Sequence, residues 1–424
     1  MRTWLLAAAF AAAGTASAQA ADLTVWGLQA FNQDADNYIG EMVKEFGKSK
    51  GIDAQYVVVP ATVLNDRLAA AFQGGAPPDA FMQVSQQAQY YIGNNLVVPL
   101  DDVLADVRKV PGGYAEDQIV VGRTGDHYEA LPLEVDVSPL FARTDLLKEI
   151  GRDIPKTWDE LRDDAKLVQQ KHPQISGFGM PVSNTNDAEG NMRNVIWSFG
   201  GKLMAEDGKT VVFNSAETRA AYQFIADMFL KDRTIPRSAL TWDDSGNNIA
   251  YQTGRAVFVI NPPSIWYWLK DNDKTLLGNT EMVSIPKGPG PNGAIGNGLS
   301  CWVWEVSKAS KHQDWAKDWL RYFFQPEHYR AAIEKVGGRW APVYPAMFAQ
   351  IPLFSQNPAF ANFRDMSTHG FMDGYAGPPN VLSGRVSDAQ IVTKVLQKVI
   401  VDHDTVDNAV AWGQQQIEAL AKGS

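Results

Sequence analysis

Between Asp22 and Val84 the chain changes its hydrophobic period repeatedly, and that alternation narrows the available folds more than any other stretch. DLTVWGL alternates as a strand. After a polar loop, DNYIGEMVKEFGKSKG places Ile39, Met42, Val43 and Phe46 on one helical face, with Gly47 and Gly51 as stop signals. A second strand (DAQYVVVP), a second helix (ATVLNDRLAAAFQGG) and a third, apolar strand (DAFMQV) follow. This βαβαβ order predicts a mainly parallel sheet covered by helices. In open sheets of that kind ligands sit beyond the carboxyl ends of the strands.

The same α/β style continues without a sequence repeat. PKTWDELRDDAKLVQQKH carries a capping box, Thr157 with Glu160, and Trp158 reads as a structural staple. GFGMPV is strand-like, SNTNDAEGNMRN reads as a long polar loop, and an apolar helix then runs to Gly200-Gly201. SAETRAAYQFIADMFLKD is an amphipathic helix, NIAYQTGRAVFVINPP a helix, a glycine and a buried strand. QDWAKDWLRYFF is a helix with Trp315 and Trp319 on a core stripe, and the tail from Asp388 is helical. Gly288, Gly290 and Gly293 fit G-x-G-x-x-G, but Pro289 and Pro291 interrupt it and a strand follows instead of a helix, which argues for an interdomain loop over a nucleotide site.

Residues 1–21 combine an early Arg2, an apolar core from Trp4 to about Ala13 and A-x-A spacing near Ala16, Ala18 and Ala20, the pattern of a secretory signal peptide cleaved near Ala21 or Asp22. The remainder, residues 22–424, is long enough for two domains. The formal net charge of -10, with no Lys/Arg cluster, makes nucleic acid and anionic membrane surfaces poor partners. Later segments lack an 18-residue apolar run, so no stable membrane insertion is expected. Cys301 is the single cysteine and reads as a small buried hydrophobe.

Signals for chemistry are sparse. The six histidines lack H-E-x-x-H or Cys/His spacing, and there is neither a G-x-S-x-G elbow nor a P-loop lysine, so no metal or cofactor is expected. The enzymatic candidate is Glu134 with Asp136 in LPLEVDVSPLFARTDLLKEIG. A strand would set them on one face about 6.6 Å apart, at ~3.3 Å per residue, within the range of glycosidase carboxylates. Neighbours on one strand face, however, approach a sugar from a single side.

GGAPPDAFMQV, NLVVPLDDVL, LPLEVDVSPLFARTDLLKEIG with IPKTWDEL, TGRAVFVINPP, and AIGNGLSCWVWEVSKASKHQDWAKDWLRYF occur in the order found in extracellular solute-binding proteins of ABC importers. The whole mature chain resembles the sugar-binding, maltose-binding-like group of that family. It departs from the pattern at Ala142-Arg143, where relatives carry Tyr-Asn, and at Asn261-Pro262-Pro263-Ser264, where many carry a stacking Trp. The resemblance implies a type II periplasmic binding protein fold: two α/β lobes, residues 22–131 plus 287–340 and residues 132–286 plus 341–424, joined by a hinge with crossings near 131–137, 284–288 and 338–345. It further implies a periplasmic monomer without catalytic activity that delivers a sugar or polyol to the transmembrane subunits of a permease.

Carried onto matching positions, the resemblance implies ligand groups at Gln29 and Asn32 after the first strand, and at Gln83 and Ser85 around the end of the third. Asp136 is expected to meet the ligand, with Glu134 pairing a nearby cation. Asn191, Trp242, Asn261, Trp266 and Asn297 complete the cleft, with Arg339 and Trp340 at the third crossing. Sugars need amides or carboxylates for hydroxyls and an aromatic platform for C–H faces. An anionic sugar derivative held by Arg339 is the principal alternative, and a glycosidase using Glu134 and Asp136 a more distant one.

Overall fold

The protein is described by a computed structural model covering residues 21–422 apart from positions 31 and 117, so the signal-peptide expectation lies outside the described residues. The chain opens with β1 (Leu23–Leu28), α1 (Gln33–Lys50), β2 (Ala54–Val59), α2 (Ala61–Gln73), β3 (Ala80–Val84) and α3 (Ser85–Gly93). Next come three short strands, β4 (Leu131–Pro132), β5 (Asp136–Val137) and β6 (Leu140–Arg143), then α4 (Trp158–Lys171), β7 (Ser176–Phe178), α5 (Asn186–Ser198) and α6 (Ala216–Leu230). They are followed by α7 (Gly246–Gln252), β8 (Ala256–Ile260), β9 (Thr280–Val283), β10 (Leu299–Ser300) and β11 (Trp302–Val306). The chain closes with α8 (Gln313–Phe323), α9 (Pro326–Val336), α10 (Val381–Asp388), α11 (Ile391–Ile400) and α12 (Val406–Lys422).

Two sheets result. The first has strand order β2-β1-β3-β11-β4, and the opening βαβαβ unit forms its parallel part. α1 buries Ile39, Met42, Val43 and Phe46, as its periodicity predicts, and ends where Gly51 takes a left-handed conformation at φ 70°. The second sheet has order β9-β6-β8-β7, with β8 parallel to β7 and antiparallel to β6. Its covering helix α4 starts on the predicted capping box, Thr157 with Glu160, and buries Trp158 completely against Phe178. Trp319 is buried, whereas Trp315 is half-buried and stacks on His312 at 4.4 Å.

One expectation fails. SNTNDAEGNMRN is not a long loop: α5 begins at Asn186, capped by Thr185, and takes in most of that stretch. Its polar residues are buried by partners remote in sequence. Arg193 is held between Glu189 and Asp373, Glu189 accepts from Thr393 N and Oγ1, and the Asn191 amide donates to Ile260 O. Hydropathy reads such a helix as solvated because it has no access to the pairing.

The sheets are linked where three chain passes are hydrogen-bonded together. β5 pairs antiparallel with β10, Asp136 opposite Ser300 and Val137 opposite Leu299, and Val135 exchanges backbone bonds with Ala341. The glycine-rich pass owes its sequence to close approach. A Cβ on Gly288 would stand 1.8 Å from Ser198 O, and Ala294 N donates to that same carbonyl.

Candidate functional site

The junction gathers most of the polar chemistry. From the first crossing, Glu134 is fully buried and, contrary to expectation, its partner is backbone: Oε1 accepts from Trp302 N at 2.6 Å, and Oε2 has no hydrogen-bond partner among the described residues. Two residues on, Asp136 places Oδ2 3.8 Å from Arg339 Nη2, and its Oδ1 is buried without a donor among the described residues. The Arg339 guanidinium lies 5.2 Å from the centre of the Trp302 ring, a cation–π distance. Trp340 meets Trp302 edge-on at 5.2 Å.

Burial, then the charge of Asp136, pushes Glu134 well above the usual carboxylate range, against the pull of Trp302 N–H and Arg339. Burial also raises Asp136, and Arg339 opposes it. Glu134 is therefore the member of the pair that keeps its proton.

α5, α7 and the end of β8 come to the same place. Asp187, in the first turn of α5, is pushed up to about 7 by burial and by Asp244, and it feels both Arg339 and Asp136. Asn247 Nδ2 donates to Asp187 Oδ2 at 2.9 Å and to Asn261 Oδ1 at 3.0 Å. Asn261 follows the carboxyl end of β8, where an α/β sheet offers its ligand side, and its own amide donates to Pro262 O and Ser264 Oγ. Trp242 is half-buried and packs against both hydrophobic cores of the molecule.

The expected residues therefore separate. Asp136, Arg339, Trp340, Asn261, Asn191 and Trp242 surround or support this junction. Ser85 lies beside it, donating its N–H to Cys301 O at 2.8 Å and lining an interlobe crevice with Gln89, Asp373 and Ser383. Gln29 is half-buried at the carboxyl end of β1. Gln83 is occupied by Asn65 and by its neighbour's N–H, and Asn32 caps α1 while donating to Lys335 O. Asn297 accepts from Ile285 N and so ties two passes of the glycine-rich segment together. Trp266 is buried edge-on against Phe360. Asp187, Asn247 and Trp302 were not anticipated. The first two belong to segments whose role is set by pairing, and Trp302 sits on an apolar strand that reads as core.

Among the described residues no helix is long and apolar enough to cross a membrane, and no cluster of three or more His, Cys, Asp or Glu could hold a metal.

Residues 32–329 match the family described as bacterial extracellular solute-binding protein. A "probable ABC transporter-binding protein" of Deinococcus radiodurans is 25% identical over 269 residues, 61% of this chain and 61% of that relative's length. The maltose-bound MalE3 of T. maritima superposes with a TM-score of 0.81 at 20% identity, over 94% of this chain and 99% of that one. A sugar transporter from Arthrobacter chlorophenolicus A6, solved with laminaribiose, gives 0.82 at 14% identity over 94% and 98%. Likeness at these identities establishes the fold, the two-lobed type II periplasmic binding protein architecture.

Proposed function

Because the chain belongs to the bacterial extracellular solute-binding protein family, we propose that it captures a carbohydrate or polyol between its lobes and delivers it to the transmembrane subunits of an ABC importer. In this reading it acts in the periplasm as a monomer, without catalysing a reaction. The observation that carries the reading is the meeting, at the crossings, of hydrogen-bonding side chains from both lobes with aromatic rings. Asp136 and Arg339 lie in the field of Asp187, which Asn247 holds, while Trp302 and Trp340 pack edge-on beside them. Hydroxyl edges and C–H faces of a sugar need this combination. The bound sugars of the maltose and laminaribiose structures support the same class.

An anionic ligand fits less well, because Arg339 already faces Asp136 and interacts with the charge of Asp187. Glycoside hydrolysis fits less well again. Glu134 is committed to Trp302 N and belongs to the same crossing as Asp136, so the two do not flank a bond from opposite sides. The crossings serve instead as a hinge, about which the lobes close on solute.

The test is a carbohydrate and polyol panel against mature protein freed of retained ligand by unfolding and refolding, read by tryptophan fluorescence and thermal shift. One class should raise the melting temperature saturably. Asp136→Asn should weaken that response by about 10- to 100-fold, the range of one charged hydrogen bond. A panel without any response would overturn the reading.

A further inference from the structure

α3 and α10 meet along one face each although they serve different cores. α3 buries Ala88, Tyr91 and Ile92 in one hydrophobic core, and α10 buries Leu382 and Val386 in the other. A Cβ on Gly384 would stand 2.5 Å from Gln86 O and 3.2 Å from Gln89 Cβ, and one on Gly93 would stand 2.6 Å from Val381 Cγ2. Gln87 Nε2 donates to Asp388 Oδ1 at 3.0 Å. Positions 86, 89 and 93 and positions 381, 384 and 388 each follow the i, i+3, i+7 spacing of a single helical face. Their partners run in reverse order, so the helices are antiparallel. Each contributes a glycine where the other comes closest.

This seam is polar. Gln86, Gln89 and Ser383 border, with Ser85 and Asp373, a crevice of about 10 Å³, the space of one water. Parting the helices returns amides, a hydroxyl and a carboxylate to water, which costs far less than opening a core. The crossings, by contrast, are tied by backbone hydrogen bonds. Because α3 starts where β3 ends, the seam covers the side on which such a sheet receives a ligand.

Resting on the reading of a solute cleft that closes about the crossings, we propose that the α3–α10 seam shuts that cleft over its solute. Gly93 and Gly384 are then positioning residues that set how firmly solute is retained without touching it. The seam contributes through the population of the closed form, so it adds the same factor to the affinity of every solute that lets it form.

The geometry supplies its own test. A Cβ at position 93 would lie 3.5 Å from Val381 Cβ, within the span of about 3.5–4.5 Å that a disulfide bridges. Gly93→Cys combined with Val381→Cys therefore places a bridge across the seam, and Cys301 is too buried to compete. The mature double variant, oxidised and reduced, is followed by tryptophan fluorescence with glucose, maltose, laminaribiose and ribitol, and by small-angle X-ray scattering without them. The bridge should form, and the oxidised protein should have the smaller radius of gyration. Protein oxidised empty should lose the response to any probe that the reduced form binds. Protein oxidised after loading should keep that probe through dialysis until dithiothreitol releases it. Separately, Gly384→Val should weaken every responding probe by one common factor of at least about tenfold, through faster release, with the melting temperature of sugar-free protein little changed. Equal exchange rates in the two redox states, or a factor that differs between probes, would overturn the seam and leave the sugar reading intact. Silence of the reduced form with all four probes would overturn the sugar reading; equal radii in the two redox states would then overturn the seam as well.

Discussion

Glu305 should make this protein less stable as pH rises, and replacing it with Gln should remove that loss. It lies on β11 opposite Phe81, is fully buried, and among the described residues neither carboxylate oxygen has a hydrogen-bond partner. Burial, reinforced by the charge of Glu129, pushes its ionisation well above the usual carboxylate range, and Tyr91 senses its field in turn. The folded chain therefore holds this proton more tightly than the unfolded chain, whose Glu titrates at about 4.3. The stabilisation is complete below that unfolded value and is lost as pH climbs towards the folded one, at about 1.4 kcal/mol per pH unit. Between pH 5 and 7 the stability of Glu305→Gln relative to the parent should rise by up to about 2.7 kcal/mol, because the amide does not titrate. Urea unfolding of both proteins at pH 5, 6 and 7, followed by circular dichroism, measures this difference directly. A difference constant across the range would mean that the carboxyl is solvated or paired, and the reasoning would fail.

Three further outcomes follow from the structure. Arg193→Met leaves Glu189 and Asp373 buried without their shared cation and should cost about 3–5 kcal/mol in urea unfolding, the usual result of halving a buried ion pair. Gly288→Ala, which would drive a methyl group to 1.8 Å from Ser198 O, should lower the melting temperature through an overpacking cost of about 1–3 kcal/mol; Gly278→Ala, with open space around it, should not. Because burial and Asp244 push Asp187 up to about 7, the parent should lose stability as pH rises from about 4 towards 7, and urea unfolding of Asp187→Asn should show that pH dependence flattened.

Periodicity and capping made much of the fold legible. The opening βαβαβ unit, α4 with its Thr157–Glu160 box, and the strand β8 all reflect local signals that nothing remote overrides. α5 was illegible in its first half because burial there depends on Asp373 and Thr393, roughly two hundred residues downstream. The junction was half legible. Asp136 and Arg339 stand in motifs with recognisable neighbours, and they meet each other. Trp302 was hidden because alternation on a strand says which face a side chain takes, but not that a guanidinium lies over the ring of the strand's first residue. Asn32 and Asn297 show the converse: polar residues at the expected ends of elements whose hydrogen bonds go to the backbone.

The buried thiol at the crossing makes the molecule a convenient instrument. Cys301 has no exposed surface, and burial followed by the fields of Glu134 and Asp136 lifts its ionisation well above the ordinary range, so a maleimide should pass it by while the lobes remain folded. An introduced surface cysteine, for instance at exposed Ile249, could then carry an environment-sensitive dye without first stripping the native thiol. In the unlabelled protein, Cys301 becomes a clock: the rate at which reagent consumes it reports how often the crossing itself comes apart.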